Sequence, residues 1–150
     1  DEATYNLHIM VRYEIEKQLV NGNIKVGDLP EFWNSKMEEY IGVTPPNDTK
    51  GVLQDIHWSM GAIGYFPTYT LGNLYAAQLY AAALADDPSI PDKIAKGQFT
   101  ALLDWMRSHI HVHGSKLLPA DLMTQATGKA PSSDDFVKYL QSKYTKIYGL

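Results

Sequence analysis

A run of Ala and Leu residues constrains the fold of this chain more than any other feature. The run TYTLGNLYAAQLYAAALA occupies residues 68–85, and Ala and Leu are among the strongest helix formers. Pro67 precedes the run and suits the first turn of a helix, while DDPS at residues 86–89 ends it. The run therefore predicts a long helix, and its many small side chains indicate that this helix is buried.

Apolar residues at helical spacing predict further helices on both sides of this run. The first helix ends near Val20, and the helical spacing begins with Tyr5, Ile9, Tyr13 and Val20. A second helix is predicted after Asp28, which forms a capping pair with Glu31. Others are expected at residues 90–96, 98–109, 119–127 and 133–148, with Gly128 as the C-terminal cap of the helix at 119–127. No segment alternates convincingly between apolar and polar residues, so the predicted fold class is all-α.

Composition narrows the possible partners and the location of the protein. The 150 residues carry a net charge of -4, with 45% hydrophobic and 20% charged residues, which is typical of one globular domain and unfavourable for binding nucleic acid. The absence of cysteine excludes disulfides and thiolate zinc sites. No apolar run reaches the roughly 18 residues of a membrane span. We therefore expect a reducing, cytoplasmic location and no membrane partner.

The segment GVLQDIHWSMGAIGYFPTYTLGN, residues 51–73, combines glycines with many hydrogen-bonding side chains. Glycines permit backbone bends that other residues disfavour. A second interpretation stays open, in which the aromatic rings fill a corner of the helical core and a neighbouring carbonyl satisfies the histidine. The polar and aromatic residues around the bends otherwise suit the wall of a functional site; they are Gln54, Asp55, His57, Ser59, Tyr65, Thr68 and Tyr69.

The octapeptide GVLQDIHW, residues 51–58, fits the G-x-x-Q-D-x-H-W motif of the thermostable carboxypeptidase (M32) family of metallopeptidases. GYFPTYTLGNLYAAQ after it and TYNLHIMVRYEIE near the start also resemble family segments, as do HGSKLLPADLMTQATGK and YLQSKYTKIYGL. The resemblance covers nearly the whole chain but only the C-terminal third of the family's sequence. It implies that residues 1–150 are the helical C-terminal portion of a larger zincin-type peptidase, and that the parent protein is a homodimer.

The H-E-x-x-H motif, which holds the metal ion in zincins, does not occur in this sequence. The resemblance therefore implies that an upstream part of the parent protein binds zinc or cobalt. It also implies that this chain binds no cofactor and is inactive alone. The family carries an I-R-x-x-A-D motif, of which Asp1 would be the last residue, and its arginine would anchor the substrate carboxylate.

The resemblance points to His57, Tyr65 and Tyr69 as catalytic residues that face the substrate groove. A carboxypeptidase must stabilise the oxyanion that develops on the scissile carbonyl and must bind the free carboxylate of its substrate. Histidine and tyrosine donate hydrogen bonds to such groups. Asp55 either orients His57 or caps a neighbouring helix, and Gln54 also has a packing interpretation. The expected substrates are peptide or protein C-termini, and the expected substrate-binding residues are Tyr65, Tyr69, Gln54 and Asp55.

The cluster HIHVH, residues 109–113, gives a competing interpretation. A strand would place its three histidines on one face, and a helix would align His109 with His113, so either arrangement suits a metal ion. The cluster also follows a predicted helix, and Gly114 after it suits a helix stop. Histidines at that position interact favourably with the exposed carbonyls of the helix end. We favour this capping role.

Other residues of the chain are assigned structural roles. Arg12 and Glu16 lie one helical turn apart and are predicted to form an ordinary surface ion pair, worth a few tenths of a kcal/mol. Trp58 is assigned to packing. Two further functions stay open beside the peptidase: a helical module that binds peptides or regulates without cleaving, and an independent metalloenzyme built on HIHVH.

Overall fold

The computed structural model describes residues 2–150, which form seven α-helices joined by turns and loops. No strand occurs in this part of the chain, and the predicted all-α fold is confirmed. Short 3₁₀ turns lie at Val26–Asp28, Asp48–Lys50, Val52–Gln54 and His111–His113. The helices are α1 (Tyr5–Val20), α2 (Leu29–Ile41), α3 (Phe66–Asp86), α4 (Ile90–Ala95), α5 (Thr100–His109), α6 (Pro119–Thr127) and α7 (Asp134–Tyr148).

The chain divides into two compact units, one ending at Leu71 and the other comprising Gly72–Leu150. We refer to them as the first and the second unit. The division falls inside α3, where the sequence shows no linker and no change in composition. A sequence pattern therefore does not predict this boundary.

The core of the first unit forms where α1 packs on α2. Its buried residues are Val11, Ile15, Trp33, Met37 and Val52, the last of which belongs to the 3₁₀ turn after α2. The Trp58 ring lies edge-on to Trp33, with 6.4 Å between the ring centroids. This contact brings the loop that follows the 3₁₀ turn onto the α1 and α2 core. The first turns of α3 follow this loop, with Phe66 fully buried.

The second unit is built around the contacts of α3 with α4 and α5, through Ala83, Ile90 and Trp105. Gln78 of α3 is fully buried, and its amide bonds the Thr127 hydroxyl, two backbone carbonyls and the N–H of Ser132. The buried amide therefore fastens α3 to the segment after α6. Other residues of α3, including Tyr80, are exposed, so this helix is less buried than its small residues predict.

The helix boundaries predicted from sequence agree closely with the structure. Gly128 ends α6 with a left-handed φ of 75°, as predicted. The predicted capping pair of Asp28 and Glu31 is wrong, because the Asp28 side chain makes no cap on α2. Its carboxylate instead accepts a hydrogen bond at 3.0 Å from the N–H of Lys25, which closes the preceding 3₁₀ turn. Over residues 2–150, every helix is too short or too polar to cross a membrane.

Candidate active site

A cavity of about 450 Å³ in the first unit gathers most of the residues that the sequence singles out. It lies between α1, the loop after the 3₁₀ turn Val52–Gln54, and the beginning of α3. Its polar lining comes from Tyr5, His8 and Arg12 of α1, from Gln54 of the 3₁₀ turn, from Asp55 and His57 of the loop, and from Tyr69 of α3. Three separate stretches of the chain therefore meet at one place, as the wall of a functional site requires.

His57 is held by hydrogen bonds at both ring nitrogens. Its Nδ1 lies 2.8 Å from Oδ1 of Asp55, and its Nε2 lies 3.2 Å from the hydroxyl of Tyr69. An ionised carboxylate only accepts hydrogen bonds, so Nδ1 carries a proton and donates to Asp55. Nε2 therefore accepts a hydrogen bond from Tyr69 when the ring is neutral, and it becomes a donor when the ring is an imidazolium.

Asp55 is a buried carboxylate whose two oxygens are both engaged. Oδ1 accepts from the ring and the backbone N–H of His57, the latter at 3.0 Å, and Oδ2 lies 2.5 Å from Nε of Arg12. Burial raises the pKa of Asp55, but the hydrogen bonds from the His57 N–H, the Arg12 guanidinium and the imidazole outweigh it, and the net pKa lies below its usual range. Asp55 is therefore ionised at neutral pH, and it lies against His57 rather than at a helix N-terminus.

Tyr65 and Tyr69 lie beside the His57 ring in different ways. Tyr65 stacks on the imidazole with 5.9 Å between centroids, and Tyr69 meets both rings edge-on. Burial, followed by the neighbouring Tyr65, raises the pKa of Tyr69. The Tyr69 hydroxyl therefore keeps its proton at neutral pH and is available as a donor.

Gln54 and Trp58 flank this group in the loop. Gln54 lines the cavity, but its amide donates to the backbone carbonyl of Thr49. Trp58 packs edge-on to Trp33 and donates its indole N–H to Glu16 at 3.1 Å. The packing role predicted for Trp58 is confirmed.

Arg12 and Glu16 do not form the surface pair that their spacing predicts. Arg12 pairs with Asp55, and the side chain of Glu16 is turned to the loop, where it accepts from Trp58 and from the backbone N–H of Gly64. Glu16 is only 5% exposed. The prediction is wrong because helical spacing describes neighbours on an isolated helix and contains no information about a loop more than forty residues away.

His8 also lines the cavity, although no sequence pattern marks it as functional. It lies one helical turn before Arg12 on α1. Burial, followed by the positive charge of Arg12, lowers the pKa of His8. Its ring is therefore neutral at neutral pH and offers one donor and one acceptor to the cavity. The shared helical face with Arg12 is the one signal in the sequence that links the two residues.

The HIHVH segment lies in the second unit, at the end of α5 and in the 3₁₀ turn after it. The ring of His109 stacks on Trp105 at 4.3 Å, and its Nδ1 lies 2.9 Å from the carbonyl of Trp105. The contact of the His109 ring with a carbonyl near the end of α5 agrees with the predicted capping role. Gly114 does not end α5, because that helix stops at His109 and Gly114 instead follows a 3₁₀ turn.

The resemblance to metallopeptidases raises the question of a metal site in this chain. Among residues 2–150, no three His, Asp or Glu side chains are grouped so that they could hold a metal ion. The described residues therefore do not fit a metal centre of their own. The predicted end of the I-R-x-x-A-D motif, Asp1, lies outside the described residues.

Comparison with known proteins identifies the family to which this sequence and fold are similar. Residues 1–144 match the family model of the carboxypeptidase Taq (M32) metallopeptidases. Thermostable carboxypeptidase 1 of Thermus thermophilus is 48% identical over 99% of this chain and 29% of its own length. Carboxypeptidase 1 of Bacillus subtilis is 43% identical over 100% of the chain and 30% of its own length. The crystal structure of the M32 carboxypeptidase from Deinococcus radiodurans superposes with a TM-score of 0.95, at 40% identity, over 100% of the chain and 30% of that structure.

The helical fold and these matches define the chain as a sequence of the metallopeptidase class. Within that class, the chain belongs to the M32 carboxypeptidase family. It spans about 30% of the length of the relatives it matches.

Proposed function

We propose that this chain forms one wall of the active site of a metal-dependent carboxypeptidase, which hydrolyses the last peptide bond of its substrate and releases the C-terminal amino acid. The observation that carries the proposal is the arrangement of Asp55, His57 and Tyr69 at the edge of the cavity, in a chain of the M32 family. The family implies a metal ion, which polarises the scissile carbonyl when it is bound.

His57 supplies a hydrogen bond to the oxyanion of the tetrahedral intermediate. Because Nδ1 is turned to Asp55, Nε2 is the ring nitrogen left for the oxyanion, and it donates when it carries a proton. The donor geometry is fixed before the substrate binds, so little reorganisation is needed as charge develops. The Tyr69 hydroxyl is hydrogen-bonded to Nε2 before the substrate binds. This hydrogen bond breaks when the oxyanion binds at Nε2.

The two tyrosines and Gln54 contact the substrate beside this atom. The Tyr65 and Tyr69 hydroxyls donate to the oxyanion or to the free carboxylate of the substrate. Gln54 shapes the cavity wall, and Asp55 acts on the substrate through His57. The role of Asp55 differs from a direct substrate contact, because both of its oxygens are already engaged.

Several properties of the parent protein belong to the same proposal. The substrates are peptide or protein C-termini, the metal is zinc or cobalt, and the parent is a cytoplasmic homodimer. The family resemblance supports the substrates, the metal and the homodimer, and the absence of cysteine supports the cytoplasmic location. The general base and the metal ligands come from parts of the family sequence that contain H-E-x-x-H, so this chain alone does not hydrolyse peptides.

The test is the His57→Ala variant of the complete peptidase that contains this chain. Its kcat should fall roughly ten- to a thousand-fold, because a preorganised oxyanion donor is lost. Steady-state hydrolysis of a short peptide with a blocked N-terminus and a free C-terminus gives kcat and KM separately. His111→Ala is the matched control, because this exposed histidine lies in the 3₁₀ turn of the second unit.

An unchanged kcat in the His57 variant would assign this residue to packing and contradict the proposal. A complete wild-type protein that binds peptides but never releases an amino acid, with zinc or cobalt supplied, would instead support a peptide-binding module.

A further inference from the structure

We propose that Arg12 is a positioning residue of the active site, which fixes the Asp55 carboxylate and thereby sets the orientation of the His57 ring. The inference rests on the proposed function and adds to it a residue of α1, outside the G-x-x-Q-D-x-H-W segment. Arg12 acts through Asp55 and is assigned no contact with the substrate.

The guanidinium of Arg12 is held from three directions within the first unit. Nε donates to Oδ2 of Asp55 at 2.5 Å, and Nη1 donates to the backbone carbonyl of His8 at 2.9 Å. Its planar head also lies over the ring of the buried Trp33, with 4.8 Å between Cζ and the ring centroid. Because a helix carbonyl and a core side chain provide two of these contacts, the position of the guanidinium does not depend on the loop.

Fixing one carboxylate oxygen of Asp55 constrains the other. The two oxygens belong to one rigid plane, so the bond from Arg12 to Oδ2 limits rotation of the group that places Oδ1. Oδ1 in turn receives both the ring Nδ1–H and the backbone N–H of His57. The side chain of Asp55 is 3% exposed, and water therefore does little to replace the bond from Arg12.

Arg12 lines the cavity, but its Nε is bonded to Asp55 and its Nη1 to the carbonyl of His8. A guanidinium that is paired with a buried carboxylate is a poor anchor for a second carboxylate from the substrate. The expected effect of its removal is therefore on the chemical step and not on substrate binding. A lysine at this position would keep the charge but lose the planar fork that fixes direction.

The experiment uses four forms of the complete peptidase: wild type, Arg12→Met, His57→Ala and the double variant. Arg12→Met should lower kcat roughly ten- to a hundred-fold, the usual effect of removing a residue that orients a functional side chain, and should change KM little. In the double variant, kcat should be no lower than in His57→Ala alone, because Arg12 acts through His57. Arg107→Met is the control, since Arg107 forms an exposed pair with Asp104 in the second unit.

The outcomes separate this inference from the proposed function. A wild-type kcat in Arg12→Met, or independent losses that multiply in the double variant, would overturn the positioning role while leaving the function of His57 intact. A rise in KM without a fall in kcat would identify Arg12 as a substrate anchor and also overturn it. An unaffected His57→Ala variant would overturn both proposals. If Arg12→Met does not fold, Arg12→Lys replaces it, with the same expected fall in kcat at an unchanged melting temperature.

Discussion

Glu16 is a single side chain that fastens the loop between the 3₁₀ turn Val52–Gln54 and α3 to α1. Its Oε2 accepts from the indole N–H of Trp58 at 3.1 Å, and its Oε1 accepts from the backbone N–H of Gly64 at 2.7 Å. A buried carboxylate is stable only when it receives such hydrogen bonds. The residue therefore determines where the loop lies, although it does not line the cavity.

Replacing Glu16 with alanine should destabilise the 150-residue chain by about 3 kcal/mol, because two hydrogen bonds to a charged group are lost and their donors are left without an acceptor. Chemical denaturation followed by circular dichroism measures this change. Glu39→Ala is the control, since Glu39 forms an exposed pair with Lys36, and its loss should cost at most about 0.5 kcal/mol. Equal effects of the two changes would contradict the structural role of Glu16.

Residue contacts were predictable where they are local in the chain. The resemblance to the M32 family assigns His57, Tyr65 and Tyr69 to one candidate site, and the structure places all three rings together. Asp55 contacts His57, which lies two positions later in the chain. This contact matches one of the two roles predicted for Asp55. The contact of Arg12 with Asp55 spans 43 positions, and only the packing of α1 against the loop creates it.

At the scale of elements, helix ends depend on glycines that adopt a left-handed backbone. Gly42, Gly128 and Gly149 follow α2, α6 and α7 with φ values of 74°, 75° and 68°. Residues other than glycine are strained at these positive φ values.

Helix positions were predictable because helix propensity and capping depend on nearby residues. The predicted cap at Asp28 was wrong because the 3₁₀ turn before α2 and the first turn of α2 both offer N–H groups to the Asp28 carboxylate.

The glycine at the end of α6 offers a direct test of this backbone requirement. Gly128→Ala should cost about 1 kcal/mol of folding stability, because alanine is strained at a φ of 75°. Gly72→Ala is the matched change, since Gly72 lies inside α3 and a Cβ there meets no atom within 4 Å; it should stabilise the chain by roughly 0.4–1 kcal/mol. Thermal unfolding of the two variants measures both effects, and the same sign in both would contradict the assignment.

At the scale of the whole molecule, the chain exposes several apolar side chains that are close together in the sequence. Leu53 is 67% exposed and Met60 is 69% exposed, and Ile56 and Ile63 of the same loop are also exposed. The relatives contain far more sequence than this chain, which spans about 30% of their length. Exposed apolar side chains that are close in the chain favour association.

The 150-residue chain should therefore self-associate as its concentration rises. Light scattering over a concentration series measures the average mass, which should increase above that of the monomer. Replacing Met60 and Ile63 together with serine should reduce the association, whereas serine at exposed Val20 of α1, outside the loop, should not. A constant monomer mass at high concentration would contradict this prediction.

Family membership was the part of the whole-molecule description that the sequence predicted best, because a contiguous octapeptide carries it. The division into two units was not predicted. It lies within the continuous helix α3, and helix propensity gives no information about where packing on one set of partners ends and packing on another begins.

Arg12 and Glu16 hold opposite ends of one loop, at Asp55 and at Gly64. The two residues are four positions apart on α1, about 6 Å along the helix axis. Inserting a single residue between them would rotate one about 100° away from the other, and the loop would lose its bonds to one of these two side chains. The position of the loop therefore depends on this turn of α1. A protein design that transfers G-x-x-Q-D-x-H-W to another helical scaffold has to transfer R-x-x-x-E with it.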